Sequence, residues 1–103
     1  MSDLDPVIHA QSRLRVMATL AAMAAGEEIT FPRLQQVLEM TAGNLSTHLR
    51  KLEDAGYVAQ SKTHRGRTPV TYVGLTEPGR RAYDDYLATL RAMLDPTRQE
   101  QTS

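Results

Sequence analysis

Thr41-Ala42-Gly43-Asn44-Leu45-Ser46-Thr47-His48-Leu49-Arg50-Lys51-Leu52-Glu53-Asp54-Ala55-Gly56-Tyr57-Val58 reads as one capped helix running into an extended segment. Thr41 has the short hydroxyl side chain that caps a helix N-terminus. Leu45, Leu49 and Leu52 follow at i, i+4 and i+7, the spacing of a single buried seam. Gly56 stands where a left-handed C-terminal cap is expected. Rotating away from the leucines puts Gly43, Asn44, Thr47, Arg50 and Lys51 outside, with Ser46 and His48 at the flanks.

Toward the N-terminus, Pro32 opens a shorter helix to about Met40, with Leu34, Val37 and Leu38 at helical spacing. A turn around Glu39 to Thr41 joins the two, which is a helix-turn-helix arrangement. Ile29-Thr30-Phe31 reads as a short edge strand. Asp5-Pro6 combines a capping side chain with a proline at the first helical position, and predicts a helix to about Ala25, stopped by Gly26. Leu14, Met17, Ala18 and Ala21 share one face of that helix and Val16, Leu20 and Met23 cluster on the other, so burial on two sides is expected.

Toward the C-terminus, Tyr57 to Ser61 is extended and Val70 to Leu75 is a second β-rich run. The polar stretch Lys62-Thr63-His64-Arg65-Gly66-Arg67-Thr68-Pro69 between them reads as the long basic tip of a hairpin. Thr76 caps a last helix to about Leu94, with Pro78 in its first turn. Ala82, Tyr83, Tyr86, Leu87, Leu90, Met93 and Leu94 cover roughly 140° of that helix, more than the ~100° stripe one core requires. The surplus predicts a homodimer through Leu20, Met23, Tyr83, Tyr86, Leu87, Leu90 and Leu94. Together these elements make one α+β, mostly helical domain over 1–103, with its core at about 5–94 and a polar tail at 95–103.

The outward residues of the third helix suit duplex DNA. Asn can bond bidentately to an adenine edge, Ser and Thr can reach bases or phosphates, and Arg and Lys neutralise phosphates. The helix N-terminus, from Thr41 on, adds N–H groups that favour an anion. Gly43 is about 1 kcal/mol worse than alanine in a helix, and suits close approach of another surface. Lys62, His64, Arg65 and Arg67 can enter a minor groove or grip the phosphate backbone. A solvated helix face and a solubilising loop would have similar residues. The chain has 12 basic and 12 acidic residues. Between Asn44 and Arg81, however, Arg50, Lys51, Lys62, Arg65, Arg67, Arg80 and Arg81 stand against only Glu53, Asp54 and Glu77. A neutral protein can still present one phosphate-facing surface this way.

The order of these elements resembles winged-helix regulators related to the MarR and ArsR families. The resemblance is carried by Thr41 to Val58, by Gly66-Arg67-Thr68-Pro69-Val70-Thr71-Tyr72, by Leu75-Thr76-Glu77-Pro78-Gly79-Arg80 and by Arg13-Leu14-Arg15-Val16-Met17. It covers roughly residues 5–94 and is greatest to the short single-domain winged-helix DNA-binding regulators. It implies a winged helix-turn-helix with a two- to three-stranded wing and flanking dimerisation helices. By the same resemblance Asn44, Thr47, His48 and Lys51 lie toward the major groove, and Arg65 to Arg67 form the wing tip. The metal-sensing ArsR pattern is not met, because there is no cysteine pair.

Other classes fit poorly. No stretch reaches the ~18 apolar residues of a membrane span, and the acidic start lacks the basic segment and apolar run of a secretory leader. With no cysteine and no ligand spacing among His9, His48 and His64, neither metal nor cofactor is expected, and the cytoplasm is the expected compartment. Ser46 and His48 point roughly 200° apart on one helix, and Asp84-Asp85 diverge as a solvated pair, so catalysis is not expected. The expected function is sequence-specific duplex-DNA binding by a homodimeric transcriptional regulator. The rival from another class is a winged-helix protein–protein module without specific DNA binding, favoured by zero net charge and opposed by the basic helix face and hairpin.

Overall fold

The computed structural model describes residues 4–95. They form α1 (Gln11–Ala21), β1 (Glu28–Thr30), α2 (Phe31–Leu38), α3 (Ala42–Asp54), β2 (Val58–Arg65), β3 (Thr68–Leu75) and α4 (Glu77–Leu94). The expected polar tail lies beyond Asp95, outside the described residues. Three of the four helices start on a threonine. Thr30 Oγ1 accepts from Arg33 N at 3.3 Å, Thr41 Oγ1 from Asn44 N at 3.1 Å and Thr76 Oγ1 from Gly79 N at 3.0 Å. Each bond satisfies an N–H that the first helical turn would leave unpaired.

The first helix starts later and ends earlier than the sequence predicts. Asp5 does cap, with its Oδ1 accepting from Val7 N at 2.9 Å, but it starts one isolated turn. The chain is extended at Ala10, and α1 begins only at Gln11 and ends at Ala21. Tertiary contacts hold this arm in place. Ile8 is buried in the core, the Tyr57 hydroxyl donates to Asp5, and His9 Nδ1 shares a 2.9 Å hydrogen bond with the Tyr86 hydroxyl.

β3 is the centre of an antiparallel sheet in the order β1-β3-β2. Ile29 faces Val73, Val58 faces Leu75, and the β2–β3 ladder runs out to Arg65 opposite Thr68. The predicted eight-residue loop is therefore mostly strand, closed by a two-residue turn at Gly66-Arg67. Gly66 has φ +65° and Arg67 is not left-handed, the pattern of a type II′ hairpin turn. Exposure on both faces removes the alternation that would mark these strands in sequence.

Ile8, Val16, Met17, Leu20, Leu34, Leu38, Leu45, Leu49, Leu52, Val58, Val73 and Tyr86 make the core. Val16, Met17 and Leu20 thus enter one core together, which corrects the expectation of two separately buried faces on α1. Leu20, 1% exposed, and Tyr86, 4% exposed, leave no side-chain surface for another chain, so both drop out of the expected dimer set. Met23, Tyr83, Leu87 and Leu90 are half-buried against the same core. Leu94, by contrast, is 72% exposed at the end of α4.

α3 ends in a Schellman arrangement, with Tyr57 N donating to Leu52 O, Gly56 N to Glu53 O, and Gly56 left-handed at φ +82°. α2 ends the same way, but with Glu39 at φ +54° in place of a glycine. The first turn of α4 lies against the backbone at Tyr57. A Cβ on Gly79 would sit 2.0 Å from Tyr57 O and 2.8 Å from its carbonyl carbon, so only glycine fits. Among the described residues no helix is long and apolar enough to cross a membrane.

Gly79→Ala is expected to destabilise by roughly 1–3 kcal/mol or more, because the obstacle is backbone and cannot rotate away. Denaturant melts check this, and a midpoint unchanged from wild type would mean that α4 does not approach Tyr57 so closely.

Candidate nucleic-acid interface

Leu45, Leu49 and Leu52 bury one side of α3 completely and so fix its rotation. Taking about 100° per residue, the opposite direction falls between Gly43 and Thr47, with Arg50 beside them. Thr41, Gly43, Asn44, Ser46, Thr47, Arg50 and Lys51 are all exposed there, and His48 is half-buried at the edge. The side chains of Asn44 and Arg50 bond to nothing among the described residues, so both are free to meet a ligand. Thr47 differs, since its hydroxyl donates to Gly43 O at 3.0 Å.

His48 borders this face. Its Nδ1 is buried without a hydrogen-bond partner. Burial holds its pKa below the usual 6.5, and the nearby Arg13 and Lys51 charges lower it further. Arg13 comes from α1, where its Nε donates to Val7 O. It adds a cation beside the outward face of α3 that sequence reasoning did not assign. Nothing in the sequence signals this, because the proximity of α1 to α3 is purely tertiary.

The hairpin register divides the other basic residues. Lys62 pairs with Thr71 and His64 with Pro69, on the face that carries Val58 and Val73 at its base. Arg65 lies on the opposite face, where it donates to the Tyr72 hydroxyl at 3.1 Å. Arg67 occupies the turn. Lys62, His64, Arg65 and Arg67 are all exposed. Arg80, by contrast, donates to Ala21 O and Met23 O, tying α4 to the end of α1. Arg81 pairs with Glu77 at 3.2 Å. Of the seven basic residues between Asn44 and Arg81, five exposed ones therefore remain beside Arg13, namely Arg50, Lys51, Lys62, Arg65 and Arg67, against Glu53 and Asp54. Asp84 and Asp85 are exposed on α4. Among the described residues no group of three His, Asp or Glu could hold a metal ion.

The capped α3, the shorter α2 before it and the antiparallel basic hairpin define a winged-helix fold. The chain belongs to the winged helix DNA-binding domain family, whose model matches residues 12–94. It is 33% identical over 82 residues to an uncharacterised protein of Methanocaldococcus jannaschii, covering 79% of this chain and 85% of that one. A solved transcriptional regulator homologue from Pyrococcus horikoshii is 32% identical, with a TM-score of 0.78 over 86% of this chain and 85% of its own. The MepR–DNA complex of S. aureus shares the fold at 18% identity, with a TM-score of 0.71 over 93% of this chain and 75% of that one. Family and fold are those of winged-helix transcriptional regulators, which are not enzymes.

The His48 environment has a pH consequence. Because the folded state disfavours His48 protonation, the unfolded chain takes up the proton first as the pH falls below 6.5. Stability is then intact above that value and lost as pH drops through the lowered folded-state pKa. His48→Gln is expected to flatten the fall in denaturant midpoint between about pH 7 and 5. Identical slopes for variant and wild type would exclude His48 as the titrating group.

Proposed function

We propose that this protein binds duplex DNA sequence-specifically as a homodimeric transcriptional regulator. In this reading α3 enters the major groove, and the hairpin lies on the phosphate backbone or in the minor groove. The observation that carries it is the outward face of α3. Its seam is locked into the core, so Asn44, Thr47, Arg50 and Lys51 are presented at fixed angles on a rigid helix. Such a face can read base edges while the exposed hairpin cations Lys62, Arg65 and Arg67 neutralise phosphates. His64, Ser46 and Thr41 lie at the margins of the same surfaces.

The dimer rests on α4. Its 18 residues span about 27 Å, and the molecule measures 61 × 25 × 21 Å with a radius of gyration of 15.7 Å. A compact chain of this length would have a radius near 13 Å. Leu94 stands almost bare at the far end of α4, and Tyr83, Leu87 and Leu90 keep partial exposure along it. Met23, half-buried at the end of α1, completes the apolar surface offered to a second copy. Two-fold symmetry would place half-sites roughly 10 base pairs apart, or a multiple of that.

Three outcomes test the reading. Asn44→Ala is expected to weaken binding to a selected site by roughly 1–3 kcal/mol and to random duplex by much less. Equal losses in an electrophoretic titration would reduce Asn44 to a phosphate ligand. Replacing Arg65 and Arg67 together by alanine is expected to weaken binding to every duplex. It should also flatten the salt dependence by roughly 0.9 in log–log slope for each phosphate no longer neutralised. An unchanged slope would remove the hairpin from the interface. In sedimentation at micromolar concentration the protein is expected as a dimer, and a species of 11.5 kDa that does not shift with concentration would overturn that assignment.

A further inference from the structure

The centre of the recognition surface is the least polar part of it. Gly43 and Thr47 lie one turn apart in the direction opposite the leucine seam, where a helix in the major groove meets the groove floor. The space where a Gly43 Cβ would stand is empty, with nothing within 4 Å. The hydroxyl proton of Thr47 is turned back along the helix to Gly43 O at 3.0 Å. Thr47 therefore offers a ligand its methyl group and the remaining acceptor capacity of its oxygen, but no donor. Asn44 and Arg50, whose donors are free, stand on either side.

We infer that Gly43 and Thr47 form an apolar notch that reads the C5-methyl of one thymine in each half-site. The inference rests on the proposed entry of α3 into the major groove. The thymine methyl is the one apolar group that Watson–Crick pairs present there. The purine acceptors N7 and O6 need a donor, which Thr47 has already given to Gly43. Cytosine N4–H could meet the Thr47 oxygen, and is the alternative base that the test must separate. Gly43 provides the room, because any side chain one turn before Thr47 would hold the helix away from the groove floor.

The test begins with a duplex site selected from a random pool, then replaces its thymines singly by deoxyuridine. This substitution deletes the methyl and keeps every hydrogen-bonding group. Wild type is expected to lose about three- to tenfold in affinity at one thymine per half-site, the value of burying one methyl-sized group. Thr47→Ser, which keeps the hydroxyl and loses the methyl, should bind thymine and uracil duplexes alike. Thr47→Val, which keeps the methyl, should retain the preference for thymine. Gly43→Ala should lose it while folding at least as stably as wild type, because the site is open and alanine is the better helix former. Tight binding with no uracil effect at any position would overturn the thymine reading and leave the DNA-binding proposal standing. A selected cytosine whose preference disappears in Thr47→Val would overturn it in favour of the hydroxyl oxygen. Absence of binding to any duplex would overturn the DNA-binding proposal, and this inference with it.

Discussion

The backbone at Gly56 and Tyr57 is the point where α3, the hairpin and α4 are joined. Gly56 takes the left-handed conformation that ends α3 and lets Tyr57 N close back on Leu52 O. Thr76, at the far end of β3, then bonds to the same place twice. Its hydroxyl donates to Gly56 O at 2.6 Å and its N–H to Tyr57 O at 3.1 Å. The hydroxyl oxygen also accepts from Gly79 N, so one side chain caps α4 while fastening it to the end of α3. Gly79 completes the joint by leaving room for the Tyr57 carbonyl. Together these contacts fix the angle between α3 and α4.

That joint also secures the N-terminal arm. The Tyr57 hydroxyl donates to Asp5, and this bond together with burial pushes the tyrosine pKa up to about 12. A few residues on, His9 reaches the Tyr86 hydroxyl in the middle of α4. The arm is thus held at both ends of a short span, and Ile8 between them is carried into the core. The chain leaves helical geometry at Ala10 as it enters α1. Local capping chemistry favours a helix from Asp5, whereas the bonds of Asp5 and His9 and the burial of Ile8 hold the segment in another shape.

Charge in this protein is divided by location. Arg15 donates to Leu38 O at the end of α2, and Arg80 to carbonyls at the end of α1, so both act as structural caps. The remaining cations on α3 and the hairpin form a small positive surface, offset by acidic residues elsewhere in the chain. Zero net charge is therefore compatible with a phosphate-facing side.

Sequence alone determined the helix-turn-helix and its orientation. Leu45, Leu49 and Leu52 recur at a period that only one helical rotation can bury, and Thr41 and Thr76 satisfy N–H groups whose positions are local. Gly56 was legible for the same reason, since a left-handed cap is a property of one residue. The outer hairpin was not, because neither of its faces is buried and the pairing of Lys62 with Thr71 or of Arg65 with Thr68 leaves no pattern along the chain. The left-handed Glu39, the break at Ala10 and the approach of Arg13 to His48 were equally invisible. Tertiary structure also decided which apolar residues remain outside: Leu20 and Tyr86 are consumed by the core, while Leu94 is left exposed. Periodicity reports how much of a helix is apolar, and only the packed chain determines how much of that surface its own core can cover.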